Sequence, residues 1–343
     1  MDDGISISLR VFDDSIRQAY RALFPDDPDK SVELLDWRFR RNPHGDAKFA
    51  VASKDDLIVG LIALVPTLLR AGSVEMRGYQ AIDTVVHPSC RGCGLFVRMG
   101  KLAQDPDAPG GEVLWGFPNA NAAPGWYGRL GWTNLGQVPL LMRPLRSSFV
   151  LGRVHPKLRI LDMPMIRGRT NSAELYTDGA QLSADFDKLW RHVATQFGIA
   201  VDRSGEWLRW RLMDKPGADF RCVGMKSGEL EAFVAVKIAD KHGGRLCYVM
   251  EALSTPERQR DLTELLLSEM AVAARSGAEV ALAWCPKSAP NYRAYRKAGF
   301  LPVPPRLRPI EINFGARALR AESAAAAEPG TPWYLSFLDS DTN

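Results

Sequence analysis

The sequence predicts a layered α/β protein (α+β type) in which one unit occurs twice. Three observations carry that expectation. At 343 residues the chain is too long for one ordinary core, since domains run to ~150 residues each. Two stretches far apart in the chain match each other in residue type and order. β-Branched runs in each half are followed by apolar positions at helical spacing, the mixed periodicity of an α/β unit.

The first match sets LLDWRFRRNPHGDAKFAVASKDDLIVGLIAL, from Leu34, against WLRWRLMDKPGADFRCVGMKSGELEAFVAV, from Trp207. Trp37-Arg38 aligns with Trp210-Arg211, Pro43 with Pro216, and Asp46 with Asp219. Each block runs into two apolar segments around a polar turn, Lys54-Asp55-Asp56 or Lys226-Ser227-Gly228-Glu229, which reads as a β-hairpin. Further on, Asp83, Pro88, Pro118, Tyr127 and Gly131 correspond, at a single offset, to Glu251, Pro256, Pro286, Tyr295 and Gly299. A shared offset in the right order argues against chance. The units are placed at 1–145 and 175–315. A linker at 146–174, rich in Arg, Pro and Met, joins them. The remainder, 316–343, holds an Ala/Glu/Pro-rich run and is expected to be a loose tail.

Composition excludes several classes. With 46% hydrophobic and 24% charged residues the chain is neither disordered nor fibrous. Forty-four Lys+Arg stand against 40 Asp+Glu, a net +4, and the two signs are interspersed, so no nucleic-acid partner is implied. Five cysteines are too few and odd in number for a disulfide framework. The start, Met1-Asp2-Asp3-Gly4, is acidic where a signal peptide would be basic. The longest strongly apolar stretch, Leu57 to Val65, is about half of the ~20 residues a membrane helix needs. The expectation is a cytoplasmic protein without a membrane partner.

The chemistry-bearing stretch is AIDTVVHPSCRGCGLFVRMGKLAQ, from Ala81. Ile82 to Val86 is β-branched and apolar, hence a strand, which Pro88 ends. Arg91-Gly92-Cys93-Gly94 then leads into Leu95, Met99, Leu102 and Ala103 at helical spacing, with Arg98 and Lys101 on the other side. A strand, a glycine loop and a helix N-terminus make an anion site from free N–H groups. Arg91 adds a charged fork. A tight turn with no ligand fits the same residues.

Here the chain resembles a known family. Val86-His87-Pro88-Ser89-Cys90-Arg91-Gly92-Cys93-Gly94-Leu95 is similar to motif A of the GNAT N-acetyltransferase superfamily, V-x-P-x-x-R-G-x-G, which binds the pyrophosphate of acyl-coenzyme A. Phe96 stands where that pattern ends on a small residue. A second block, the strand Val113 to Phe117 followed by PNANAAPGWYGRLGW from Pro118, resembles the family's late strand, Asn/Ala helix start and Y-x-K/R-x-G-F/W. The resemblance spans 5–145 and, in degenerate form, 175–315. It implies two tandem GNAT-like domains, each a mixed, mostly antiparallel sheet flanked by helices, the first of them catalytic. It implies acetyl-CoA or another acyl-CoA as co-substrate, held by Val85, Val86, Arg91, Gly92, Cys93, Gly94, Leu95, Phe96 and either Asn119 or Asn121. Tyr127 would protonate the departing thiolate; the plainer reading is a core tyrosine with a satisfied hydroxyl.

The second half reads Ser254-Thr255-Pro256-Glu257-Arg258-Gln259-Arg260-Asp261-Leu262 at the loop position. Both glycines are gone, and two acids stand where a pyrophosphate would dock, an unfavourable exchange for an anion. Tyr295 and Gly299-Phe300 persist as packing. One active and one structural unit are expected.

Candidates for proton transfer follow. Asp83 is a base or amine anchor, or else a hydrogen-bonded strand carboxylate; on a regular strand it and Val86 face opposite ways. Gln80 and Glu75 are weaker candidates. His87 is not expected to be catalytic, and His44 is expected in a solvated turn. Cys90 and Cys93 have half-zinc-site spacing, but Cys222, Cys247 and Cys285 supply no second pair, so no metal is expected. The Trp-Arg pairs recur in both halves and read as structural.

The Gly78–Thr84 segment, the R-G-x-G-L-F variant and the Phe-Pro-Asn block are similar to a tandem branch of the family that N-acylates amino sugars, nucleotide-linked ones included. This implies a small-molecule amine acceptor. Arg143, Arg146, Arg153, Arg159, Arg167 and Arg169 would border an anionic substrate or form a solvated basic surface. Two other classes remain open: an aminoacyl or peptidyl transferase, against which the intact glycine loop argues, and a non-catalytic acyl-CoA sensor.

Overall fold

The computed structural model describes residues 4–155, 157, 160–166, 173–217, 219–308 and 311–340. They form two units, each built on its own mixed sheet flanked by helices.

The first unit begins with β1 (Ile5–Val11), α1 (Asp14–Leu23) and α2 (Val32–Phe39). Asp13 caps α1 by accepting from the Ile16 N–H at 2.9 Å, and Ser31 caps α2 at the Leu34 N–H, 3.3 Å. Strands β2 (Lys48–Lys54), β3 (Leu57–Ala71) and β4 (Val74–Val86) follow as a meander. The β2–β3 turn puts Asp55 and Asp56 at φ 48° and 62°, the twist a two-residue hairpin needs. After α3 (Leu95–Ala103) come β5 (Val113–Gly116), a π-helical turn (Pro124–Arg129) and β6 (Thr133–Gln137). The sheet is completed by β15 (Asn313–Ala318), in the order β1-β2-β3-β4-β5-β15-β6.

Strand alternation buries both faces of this sheet. Phe49, Val51, Leu61, Ala63 and Val65 pack with Ile16, Tyr20, Leu35 and Phe39 of α1 and α2. Their neighbours Ala50, Ala52, Ile62 and Leu64 pack with Leu95 and Met99 of α3 and with Trp126, Leu130 and Trp132. A strand covered on both sides has no polar face to show, which is why β3 reads as a continuous apolar run.

The second unit runs β7 (Leu140–Pro144), α4 (Ser147–Val154), β8 (Glu174–Tyr176), α5 (Gly179–Val193), β9 (Ile199–Val201), α6 (Gly205–Leu212), β10 (Phe220–Ser227), β11 (Glu229–Lys241) and β12 (Gly244–Ser254). It continues with α7 (Gln259–Arg275), β13 (Val280–Trp284), α8 (Tyr292–Lys297) and β14 (Leu301–Pro302), in the sheet order β14-β7-β13-β12-β11-β10-β8.

The units divide the chain differently from the split at 145/175 and 315. β7, placed by sequence before the linker, pairs with β13 and β14 of the second sheet. β15, which straddles the expected end of the second unit, lies between β5 and β6 of the first. Within the expected linker, residues 147–154 form α4. Nor is 316–340 loose. Ser323 donates to Glu112 O at 2.7 Å, and Trp333 to Ser340 is buried in the second unit. There Arg203, wholly buried, bonds Glu251 and Asp339 at 2.6 Å each. Arg211 donates to the Leu338 and Ser340 carbonyls at 2.5 and 2.8 Å. An Ala/Pro-rich composition gave no sign of these anchors, because they rest on single polar side chains and on main-chain groups.

Candidate functional site

β4 gives way to a 3-10 turn, Pro88–Cys90. His87 caps it, its Nδ1 accepting from the Ser89 N–H at 3.3 Å, which is a structural task. Gly92 and Gly94 then adopt φ 82° and 72°, a left-handed backbone that glycine takes without strain. An added Cβ at either position would meet nothing within 4 Å, so the glycines serve backbone conformation and not space. Arg91, Gly92, Cys93 and Gly94 are exposed. Gly94 is the N-cap of α3, with no side-chain cap and no acid in the first turn. Among the described residues, no protein acceptor takes the N–H groups of Gly92 through Phe96. A bare helix N-terminus with its dipole uncompensated favours an anion. Arg91 donates from Nε to Val86 O at 3.3 Å, which sets its fork beside the loop.

β4 and β5 part company within β4, before the loop is reached. Their parallel register runs from Gly78–Val113 to Gln80–Trp115 and stops. At the same place β4 bulges: Ala63 faces Ile82 but Leu61 faces Val85, and Asp83 takes φ 49°. Strict alternation therefore fails, and the opposed facing expected of Asp83 and Val86 does not apply. Val85 and Val86 pair with β3 alone, their other edge unmatched by β5.

Asp83 is fully engaged. Its carboxylate accepts from Lys30 Nζ at 2.5 Å and from the Tyr20 hydroxyl at 2.9 Å, with Arg38 Nη1 at 3.9 Å. Three elements, α1, the 3-10 turn Pro28–Lys30 and α2, thus converge on one strained residue. A left-handed conformation costs a non-glycine residue ~1–2 kcal/mol, which these contacts offset. The contacts are those of the hydrogen-bonded strand carboxylate, with Asp83 tied to Lys30, Tyr20 and Arg38. Tyr20 is held protonated by burial, and by the Asp83 charge beside it. Replacing Asp83 by Asn, which tolerates the backbone but takes the charge out of the nearly buried pair with Lys30, is expected to cost roughly 3 kcal/mol. The check is the urea midpoint at unchanged slope; a loss under ~0.5 kcal/mol would mean the ion cluster does not hold the bulge. Of the weaker candidates, Gln80 is half-buried, and Glu75 is half-exposed and paired with Arg70 at 2.7 Å.

The Tyr127 segment is built by caps and glycines. Asn119 Oδ1 accepts from the N–H groups of Asn121 and Ala122 at 3.1 and 3.0 Å, so Asn119 caps the turn while Asn121 stays exposed. Phe96, the departure from the family pattern, has its partner here. An added Cβ on Gly125 would fall 2.3 Å from the Phe96 ring, which also meets Trp126 edge-on at 5.3 Å. Leu130 fills the space over Gly100 in the same way, and Gln104 Nε2 donates to Leu130 O at 2.9 Å. Helix α3 and the Tyr127 turn are thereby locked together. Tyr127 ends in a buried hydroxyl that has no hydrogen-bond partner among the described residues, contrary to the satisfied core tyrosine. Burial pushes its pKa up to about 12, so it is a neutral donor at any physiological pH.

The second unit closes the matching places. At α7, Asp261 lies in the first turn and ion-pairs Arg258 at 3.4 Å. The β12–β13 register stops at Val249–Ala283, and the gap beyond is filled: Asn291 Nδ2 donates to Ala252 O at 2.6 Å and to the Tyr334 hydroxyl at 2.9 Å. Tyr334 and Ser336 donate to Glu251. Tyr295 is buried, its ring edge-on to Phe300 at 5.3 Å.

Among the described residues no group of His, Cys, Asp or Glu could hold a metal, and no helix is long and apolar enough to cross a membrane. His44, expected in a solvated turn, is half-buried, and its Nδ1 accepts from the Leu68 N–H at 3.1 Å. Of the arginines expected to border an anionic substrate, Arg146 bonds Asp162 at 2.8 and 2.9 Å and Ala274 O at 2.7 Å, and Arg143 donates to Ala298 O. Arg159, Arg167, Arg169 and the side chain of Arg153 lie outside the described residues.

No family model and no curated relative matches the sequence. Solved structures do. A GCN5-related N-acetyltransferase from Anabaena variabilis matches at TM-score 0.64 with 11% identity, over 94% of this chain and 75% of that one. A probable N-acyltransferase from Enterococcus faecalis matches at 0.61 and 12% identity, over 94% and 75%. Saccharomyces cerevisiae N-myristoyltransferase with bound myristoyl-CoA matches at 0.58 and 11%, over 91% and 82%. At such identities the likeness speaks for architecture alone: the chain has the fold of these N-acyltransferases, with two mixed sheets flanked by helices.

Proposed function

We propose that the protein is an acyl-CoA-dependent N-acyltransferase of the GNAT superfamily with two tandem units, one active. The observation that carries the reading is the uncapped N-terminus of α3 behind Gly92 and Gly94, in the same unit as a buried tyrosine hydroxyl with no hydrogen-bond partner among the described residues. One is suited to a diphosphate, the other to a leaving thiolate. In this reading the chain's own groups act as follows. The amides from Gly92 to Phe96 bind the diphosphate. The unmatched edge of β4 at Val85 and Val86 faces the thioester carbonyl, where N–H groups stabilise the oxyanion that forms as an amine attacks. Tyr127 gives its proton to the sulfur as the carbon–sulfur bond breaks. The amine's proton leaves through water, since Asp83 is ion-paired. Acetyl as the acyl group, an amino-sugar nucleotide as acceptor and a cytoplasmic location are the finer parts of the proposal, resting on the sequence resemblance.

Tyr127→Phe tests the core of it. Turnover, read as free thiol released from acetyl-CoA with an amino-sugar acceptor, should fall by about 100-fold or more while the Kd for acetyl-CoA holds. Stability should not fall, because an unmade buried donor costs the folded state ~1–3 kcal/mol. Full activity in the variant removes Tyr127 as the acid. Acetyl-CoA binding with no thiol release for any amine would favour a sensor; no binding would favour a different acyl donor.

A further inference from the structure

We propose that Gly315, supplied by β15 from the far end of the sequence, is a positioning residue for Tyr127; this rests on the reading of Tyr127 as the acid. Gly315 faces Gly116 across the β15–β5 pair, so two strands meet without side chains at the point where β4 and β5 have parted. The two glycines do different work. At Gly116 an added Cβ would come within 2.9 Å of the Ala81 carbonyl oxygen, a main-chain clash that concerns the sheet. At Gly315 it would lie 2.6 Å from Cε1 of Tyr127 and 3.1 Å from its hydroxyl oxygen. The phenol end of Tyr127 therefore rests on the bare backbone of β15. The backbone of Gly315 is not in the left-handed region, so alanine is allowed there as far as φ is concerned; a methyl would press first on the Tyr127 ring and, less closely, on the Thr133 carbonyl oxygen at 3.2 Å.

A ring held by Phe96 and Trp126 through its own turn, and by Gly315 at its tip, has its hydroxyl fixed from two directions. Pushing the tip aside by a fraction of an ångström keeps the fold but misplaces the proton. Displacements of about 1 Å cost on the order of 100-fold in rate. Sequence inspection could not find this residue, because Gly315 lies in a segment with no motif and reaches Tyr127 only through strand pairing.

The test uses the full chain and three variants. Gly315→Ala should lower kcat for thiol release ~10- to 100-fold, with the Kd for acetyl-CoA and the melting temperature near those of the parent. In Tyr127→Phe, the added Gly315→Ala should cost less than ~2-fold more, since the two act through one hydroxyl. Equal losses in both backgrounds would overturn the positioning role while leaving Tyr127 as the acid. A fully active Tyr127→Phe would overturn both. A readout free of activity is the fluorine resonance of 3-fluorotyrosine placed at 127. It should move on Gly315→Ala, and an unmoved resonance refutes the contact.

Discussion

Gly94→Glu is expected to weaken acetyl-CoA binding at least ~100-fold. Two effects add. A residue with a Cβ pays ~1–2 kcal/mol to hold φ near 72°, and the conformation is needed to begin α3. The carboxylate then sits among the N–H groups that would otherwise take the diphosphate, and it repels that anion. Together these come to ~3 kcal/mol, and each ~1.4 kcal/mol is tenfold in affinity. Gly94→Ala separates the two. With nothing within 4 Å of the added Cβ, it should show only the conformational part, a ~5- to 30-fold loss. Calorimetric titration gives both numbers. One site per chain is expected in the parent, since Asp261 already occupies the first turn of α7. Parental affinity in Gly94→Glu would mean the loop is not the donor site.

Ending the chain after residue 309 is expected to abolish folding of both units. The first would lose β15, and with it the main-chain pairing that joins β5 to β6, from Gly315–Gly116 through Ala318–Val113 on one side and Asn313–Gln137 through Ala316–Thr133 on the other. Phe314 and Ala316 leave its core as well. The second would lose Asp339, Ser336 and Tyr334, leaving the wholly buried Arg203–Glu251 pair short of its partners. Removing one member of a buried ion cluster costs ~3–5 kcal/mol, a large share of the ~5–15 kcal/mol that holds a domain folded. The shortened chain should show no cooperative melting transition, and co-expressing residues 310–343 as a separate chain should restore one. A soluble 1–309 protein that binds acetyl-CoA as tightly as the parent would refute this account of the sheet.

What could be read from the sequence was local. The hairpin at Asp55-Asp56, the strand from Ile82, the break at Pro88 and the start of α3 after Gly94 each have a nearby chemical cause, and all are present. The bulge at Asp83 was not legible: a positive φ in a β-branched run has no composition signal, and the groups that hold it are the Tyr20 hydroxyl and the cations of Lys30 and Arg38. Phe96 looked like a departure because its complement, Gly125, lies on another element. The family pattern points to Asn119 or Asn121 as a cofactor ligand, and it carries no sign that Asn119 Oδ1 closes an Asx turn within Asn-Ala-Asn. Strand exchange was the largest omission. β7 and β15 are short and carry no pattern that says which sheet they join.

The placement of β15 also bears on how the molecule is made. A ribosome delivers β1 to β6 by Gln137, yet the strand that closes their sheet ends at Ala318. Roughly 175 residues intervene, which at ~5–20 residues per second is about 9–35 s of translation. Throughout that interval the edges of β5 and β6 stand open, and the surface beneath Tyr127 is absent. The candidate site therefore cannot mature on the nascent chain before β15 has been synthesised, although every other residue assigned to it precedes β6.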